Sequence, residues 1–306
     1  MAKRPEEKVI LVDQSTLKSW LRSLDVSETT RLIYRNGLAS LERYALERGL
    51  DLRKLCPEDL VAFKEDQLVR LSASTVSTYL IGIRSFYFWA ESRGYANPAR
   101  RVKGPSCVRD FKKDVLTPMQ ARTLLEAAKG DSLIQKRNFA MLNLMIRTGL
   151  RDIEIARANV GDIGTEAGSV VLHVQGKGRP EKDRFVLLTD KALRPIEAYL
   201  ANRPEATGES PLFASHSHRG SGSRLTTRTI SGIAKSAMRT IGLDSKRHTA
   251  HSLRHTAVTF ALLGGAKVEE AKEMARHANI NTTMIYSHHV DRIQNAAERK
   301  IENVLD

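Results

Sequence analysis

Apolar residues recur at helical spacing through most of this chain. Between Ser27 and Gly49, the residues Leu32, Ile33, Leu38, Leu41 and Tyr44 approximate three- and four-residue steps, which line one buried face of a helix. Serine favours a helix start and glycine a helix end. A shorter amphipathic stretch covers 15–24, with Ser15 near its N-cap. Pro57 opens P-E-D-L-V-A-F-K-E-D-Q-L, where a first helical turn tolerates its missing N–H. Ser74 opens S-T-V-S-T-Y-L-I-G-I-R-S-F-Y-F-W-A, and Gly94 closes it. The spacing therefore predicts about four helices in the first hundred residues. Phe86, Phe88 and Trp89 are expected in their core rather than on a base-stacking surface.

The pattern breaks over 97–114, where prolines, a glycine and repeated Lys and Arg read as a basic linker. Helical signals resume with Thr117 as N-cap and Pro118 at the first helical position. An apolar helix follows over 133–147, Thr148-Gly149 interrupts it, and Arg151 begins another. The period then changes. Residues 169–174 (S-V-V-L-H-V) and 184–188 (R-F-V-L-L) are β-branched and alternate in part. The turn-forming stretch between them predicts a β-hairpin with Lys177 at or near its tip. Residues 204–224 read as a Gly/Ser/His-rich loop, with helices at about 226–241, 251–263, 267–276 and 281–300. The fold class is mainly α with a small β-hairpin or sheet, an α+β arrangement.

Composition narrows the function. A net charge of +14 over 306 residues and a pI near 9.9 suit a polyanion such as nucleic acid. The Lys and Arg are spread along the chain, whereas a membrane-surface protein would concentrate them on one amphipathic helix. No apolar run approaches the roughly 18–20 residues that span a bilayer, and no signal-peptide core follows M-A-K-R-P-E-E-K. A cytoplasmic protein without a membrane partner is the expectation. Cys56 and Cys107 read as reduced thiols. No zinc-finger spacing is present, and the adjacent His288 and His289 cannot share a helix face, so neither metal nor other cofactor is expected.

The candidate chemistry lies in H-S-L-R-H-T at 251–256 and in the later Tyr286. His251 and Arg254 share a helix face at three-residue spacing. Arginine can fork two donors onto a phosphate, and histidine can hold or move a proton beside it. His277 precedes Tyr286 by nine residues, and Arg151 lies earlier in T-G-L-R-D-I-E. Two arginines, two histidines and a tyrosine suit attack on a phosphodiester through a covalent phosphotyrosine.

Taken in order, T-G-L-R-D-I-E, G-K-G, H-S-L-R-H and the His277–Tyr286 pair resemble the tyrosine recombinase family. That family includes phage integrases, integrases of conjugative elements and Xer recombinases. The resemblance covers most of the chain. It implies a helical core-binding domain over 1–98, a basic linker over 99–114, and a catalytic domain over 115–306 ending in an exchange helix. It implies that Tyr286 is the nucleophile, that Arg151 and Arg254 clamp the non-bridging oxygens, and that His251 and His277 donate to them or assist the tyrosine proton. Lys177 would protonate the leaving 5′-oxygen, and Glu154, one turn from Arg151, would orient its guanidinium. The implied partners are double-stranded DNA with inverted-repeat core sites and a homotetramer on two duplexes, with room for an accessory or directionality protein. The implied reaction proceeds through a Holliday junction, for integration or excision of a mobile element or for resolution of chromosome or plasmid dimers.

The chain departs from the family pattern in two places: Arg276 stands where glycine is usual before His277, and S-H-H-V-D-R follows the tyrosine in the manner of mobile-element integrases. An extra N-terminal arm-binding domain is not expected, which fits a two-domain recombinase of Xer size. His255 reads as structural. Val290, Ile293, Ala297, Ile301 and Val304 form an apolar stripe that needs burial, either back on its own domain or, as the resemblance implies, on a neighbouring protomer. Two other functions compete: a type IB topoisomerase-like relaxing enzyme with the same cleavage chemistry, and a non-catalytic DNA-binding protein of the same fold.

Overall fold

Side-chain caps start three of the four helices described in the first hundred residues, and two of these caps lie two residues earlier than the sequence pattern suggests. In the computed structural model, which describes residues 12–106, 115–176, 181–217, 220–294, 296–298 and 301, the first helix is α1 (Gln14–Ser23). Its N-cap is Asp13 rather than Ser15, because the Asp13 carboxylate accepts the Thr16 N–H at 2.8 Å and both neighbouring hydroxyls. Ser27 caps α2 (Glu28–Glu47) as expected. Pro57 opens α3 (Pro57–Arg70). Ser72, not Ser74, caps α4 (Ala73–Glu91) by accepting the Thr75 N–H at 3.2 Å.

The chain divides into two units, Met1–Asp110 and Phe111–Asp306, each with its own core. In the first, Trp20, Leu38, Leu41, Leu60, Phe63, Leu80 and Ile83 are buried together. Helices α2 and α4 approach closely at two glycines. A Cβ at Gly37 would lie 2.9 Å from the Tyr79 backbone, and one at Gly82 would lie 2.8 Å from the Tyr34 Cα. Any larger residue there would push the helices apart. Phe86 is buried and Trp89 is half-buried against the core, but Phe88 is 73% exposed. The reason is angular: at 100° per residue, positions 86, 89 and 90 share the inward face and position 88 lies opposite.

The second unit contains α5 (Pro118–Ala127), α6 (Leu133–Thr148), α7 (Asp152–Arg157), a single 3-10 turn at Val160–Asp162, α8 (Asp190–Leu200), α9 (Thr227–Thr240), α10 (Ala250–Leu263), α11 (Val268–Ala275) and α12 (Asn281–Gln294). Its sheet is antiparallel, in the order β1 (Ile163–Glu166), β2 (Ser169–Val174), β3 (Arg184–Leu187). Sequence reading located β2 and β3 but not β1, whose four residues carry too little alternation to stand out. On β3, Val186 is buried while Phe185 and Leu187 are exposed, the period of a strand covered on one face.

Helix α8 was also absent from the sequence pattern. Pro195 in its interior is a helix breaker by rule. The lost N–H leaves the Lys191 carbonyl without its partner, and the buried Asn143 of α6 donates to it at 2.8 Å. Tertiary structure thus supplies the bond that proline removes. Helix α6, with Met141, Leu142, Leu144 and Met145 buried, packs between α8 and α10 at the centre of this core. Among the described residues no helix is long and apolar enough to cross a membrane.

Candidate active site

The site assembles where the ends of α6, α7 and α11 meet the faces of α10 and α12. Helix α6 ends at Gly149 with φ +62°, a conformation that suits glycine. This turn presents the Gly149 carbonyl, which accepts Arg254 Nη1 at 2.5 Å and Arg276 Nη2 at 3.4 Å. Arg254 Nη2 also donates to the Ala275 carbonyl. Arg254 is only 1% exposed. Its burial, and the charges of Arg151 and Arg276, push its guanidinium down to about 9. It therefore stays protonated at neutral pH.

Arg151 is the N-cap of α7, one residue before the helix proper. Glu154 reaches back and accepts the Arg151 backbone N–H at 2.7 Å and Arg151 Nη1 at 2.9 Å. This is the carboxylate half of a capping box, and it holds both the Arg151 backbone and one end of its guanidinium. Glu154 is shared with Arg276. Arg276 Nη2 and Nε bond its two oxygens at 2.8 and 3.2 Å. Burial alone would push the Glu154 carboxyl up, but the hydrogen bonds and charge of Arg276, with Arg151 beside them, hold it below the usual range.

Helix α11 ends in a Schellman turn, with Arg276 at φ +54° and the His277 N–H donating to the Lys272 carbonyl at 3.1 Å. That reversal aims His277 at α12. Its Nδ1 lies 2.8 Å from Thr283 Oγ1, and its ring stacks on Tyr286 with centroids 6.4 Å apart. Burial, then the charges of Arg254, Arg151, Arg276 and His251, push His277 down to about 4. It is a neutral imidazole at pH 7.

Tyr286 is 4% exposed and packs against Val258 and Ala275. Burial pushes its hydroxyl up to about 12, against the opposing pull of Arg254. The hydroxyl hydrogen-bonds His255 Nδ1, and the His255 ring meets the His251 ring edge-on at 4.6 Å. His251, Arg254 and His255 thus share one side of α10. His251 itself is exposed at the site's rim.

The structure brings Arg151, Glu154, His251, Arg254, His277 and Tyr286 into one cluster. Lys177 lies outside the described residues. Described residues between it and the strands are held by the protein: Arg157 donates to the Gly176 carbonyl at 3.2 Å, and Lys182 Nζ lies 2.6 Å from both Asp162 oxygens. Sequence reasoning missed two participants. His255, read as structural, touches the tyrosine hydroxyl, and its four-residue spacing from His251 was the available signal. Arg276, which stands where the family usually has glycine, turns inward to Glu154. No signal in the sequence reveals that choice, because Glu154 lies 122 residues away along the chain.

Comparison with known proteins agrees with this arrangement. Residues 114–292 match the Phage integrase family, and residues 17–94 match the Phage integrase N-terminal SAM-like domain. The chain is 31% identical over 278 residues to tyrosine recombinase XerC of Thermodesulfovibrio yellowstonii, with 88% of each chain covered. It is 29% identical over 270 residues to tyrosine recombinase XerD of Caulobacter vibrioides, with 86% of each covered. The fold resembles the XerH site-specific recombinase bound to palindromic difH substrate in a post-cleavage complex, with a TM-score of 0.74 and 19% identity over 94% of this chain and 90% of that one. With these matches and a tyrosine surrounded by arginines and histidines, the chain belongs to the phage integrase family as a Xer-like tyrosine recombinase, a DNA strand-transferase of site-specific recombination.

Proposed function

We propose that this chain cleaves and rejoins DNA at paired inverted-repeat core sites through a 3′-phosphotyrosine and a Holliday junction. The observation that carries the reading is the placement of the Tyr286 hydroxyl on His255, within the field of Arg254 and beside His277. In the first step the Tyr286 oxygen bonds to the scissile phosphorus, the bond to the 5′-oxygen breaks, and that oxygen takes a proton. His255 is positioned to receive the tyrosine proton, and Lys177 is assigned to the 5′-oxygen. Arg151 and Arg254 hold the non-bridging oxygens as their charge grows, with His251 and His277 beside them. In the second step a 5′-hydroxyl from the partner duplex attacks the phosphotyrosine and releases Tyr286. The ester conserves the phosphodiester bond, so rejoining needs no outside energy source. The reaction serves either the resolution of chromosome or plasmid dimers or the movement of a mobile element, in the cytoplasm.

Residues 1–98 are assigned to core binding, 99–114 to a basic linker and 115–306 to catalysis. A homotetramer on two duplexes is the working assembly, to which an accessory or directionality protein can add. Its support is the C-terminal stripe. Val290 is buried in its own chain, whereas Ile301 is 58% exposed, an apolar side chain free to dock on the next protomer. Removing residues 292–306 is expected to leave single-site binding intact while weakening cooperative binding and recombination. Gel-shift titration and a two-site recombination assay check this, and normal recombination by the truncated chain refutes exchange in trans.

The assignment of Lys177 has its own test. A substrate with sulfur at the 5′-bridging position needs no protonation of its leaving group. Lys177→Ala is expected to cleave normal DNA slowly and the sulfur substrate at near the wild-type rate. Equal defects on both would assign the lysine to phosphate binding.

A further inference from the structure

Arg276 occupies a left-handed backbone conformation that residues with a Cβ rarely adopt. Its side chain is 6% exposed. The guanidinium is committed to protein partners: Nε and Nη2 to Glu154, Nη2 also to the Gly149 carbonyl at 3.4 Å, and Nη1 to the Met274 carbonyl at 2.5 Å. Arg151 is arranged differently. It is 27% exposed, shares Glu154 through one terminal nitrogen, and donates through the other to the Arg276 carbonyl at 3.3 Å. Arg276 therefore braces Arg151 twice, through Glu154 and through its own carbonyl.

Charge gives this bracing a consequence. With Arg151 as its sole cationic partner, Glu154 would cancel the charge meant for DNA. With Arg276 added, three guanidiniums (Arg151, Arg254 and Arg276) face one carboxylate, and two positive charges remain uncompensated. Building on the strand-cleavage reading above, we infer that Arg276 is a positioning residue that takes the Glu154 carboxylate in a bidentate pair and so leaves the charge of Arg151 for the scissile phosphate. A planar fork suits this task, because it meets both carboxylate oxygens at once.

His277 reports the local charge. It faces Arg254 and His251 on α10, Arg151 at the start of α7, Arg276 beside it, and Thr283 and Tyr286 on α12. Removing one neighbouring positive charge favours the imidazolium, so the titration of His277 must move upward in Arg276→Gly. Glycine suits the left-handed backbone, so that variant loses the side chain without straining the turn.

The test compares full-length wild type, Arg276→Gly, Arg276→Lys and the double variant Glu154→Gln/Arg276→Gly. Two quantities are measured: the His277 titration by NMR, and the single-turnover rate of covalent attachment to a nicked core-site duplex. Arg276→Gly is expected to slow attachment on the order of tenfold and to raise the His277 midpoint. Arg276→Lys should restore the midpoint, because the charge returns, but only part of the rate, because the fork does not. Adding Glu154→Gln to Arg276→Gly should recover rate, because Arg151 is again uncompensated. A wild-type rate and an unmoved midpoint in Arg276→Gly would overturn the inference. So would a double variant slower than Arg276→Gly, since that marks a structural role. If the wild-type protein forms no adduct, the strand-cleavage reading fails instead. The His277 titration still decides whether Arg276 sets the charge at the site.

Discussion

Tyr286→Phe is expected to abolish covalent attachment to DNA while leaving the fold and DNA binding intact. The substitution removes one oxygen and nothing else. The ring keeps its packing against Val258 and Ala275 and its stacking on His277. The lost hydrogen bond is to His255, which retains the His251 ring contact. A single hydrogen bond contributes about 0.5–1.5 kcal/mol, so the thermal midpoint should shift by only a few degrees. Cleavage, in contrast, should fall below detection, because the phenylalanine ring carries no oxygen to bond to the phosphorus. Denaturing gels of protein incubated with a nicked core-site duplex provide the measurement. A covalent adduct formed by the Phe variant would show that Tyr286 is not the nucleophile. Thermal unfolding, run in parallel, separates lost chemistry from lost structure.

The second large effect is expected at Arg254. Arg254→Lys should slow attachment by about 10²–10³-fold, the cost of losing a preorganised donor to developing charge. Two reasons combine. Arg254 spends one terminal nitrogen on the Gly149 carbonyl and the other on Ala275, and its guanidinium has five donors, so others remain for the phosphate. An ammonium has three donors at one point and cannot span the same partners. The second reason is electrostatic. Burial, with Arg151 and Arg276 nearby, already pushes the arginine down to about 9. A lysine starts lower, at ~10.4, so the same surroundings bring it toward neutrality. A depressed cationic group regains its charge as pH falls. The deficit of the Lys variant relative to wild type should therefore narrow on acidification. Attachment rates for both proteins across pH 6–9 check this. A pH-independent ratio near one would remove Arg254 from the clamp.

Much of the site was legible from spacing along single elements. His251 and Arg254 lie three residues apart on α10, and Glu154 lies three residues from Arg151 on α7; local geometry alone makes such residues neighbours. The helical first unit was legible for the same reason, since an apolar face at helical period must be buried. The limits of local reading show at Phe88, where Phe86, Phe88 and Trp89, in a run of four consecutive aromatics, suggested a common core and helical rotation left Phe88 outside. They show again at α8, where Pro195 argues against a helix and Asn143, distant in sequence, makes it tolerable.

The chain by itself determined the fold class, the starts of most helices within a residue or two and the basic character, because these depend on period, capping and charge; the candidate site residues came from the resemblance of its motifs to those of a family. Only the tertiary structure decided which side chains share a carboxylate or a hydroxyl. Glu154 is divided between Arg151, three residues away, and Arg276, 122 residues away. Tyr286 meets His255 across 31 residues. Hydrogen bonds of a buried carboxylate or phenol are set by what the packed core leaves within about 3 Å, and no one-dimensional spacing carries that distance.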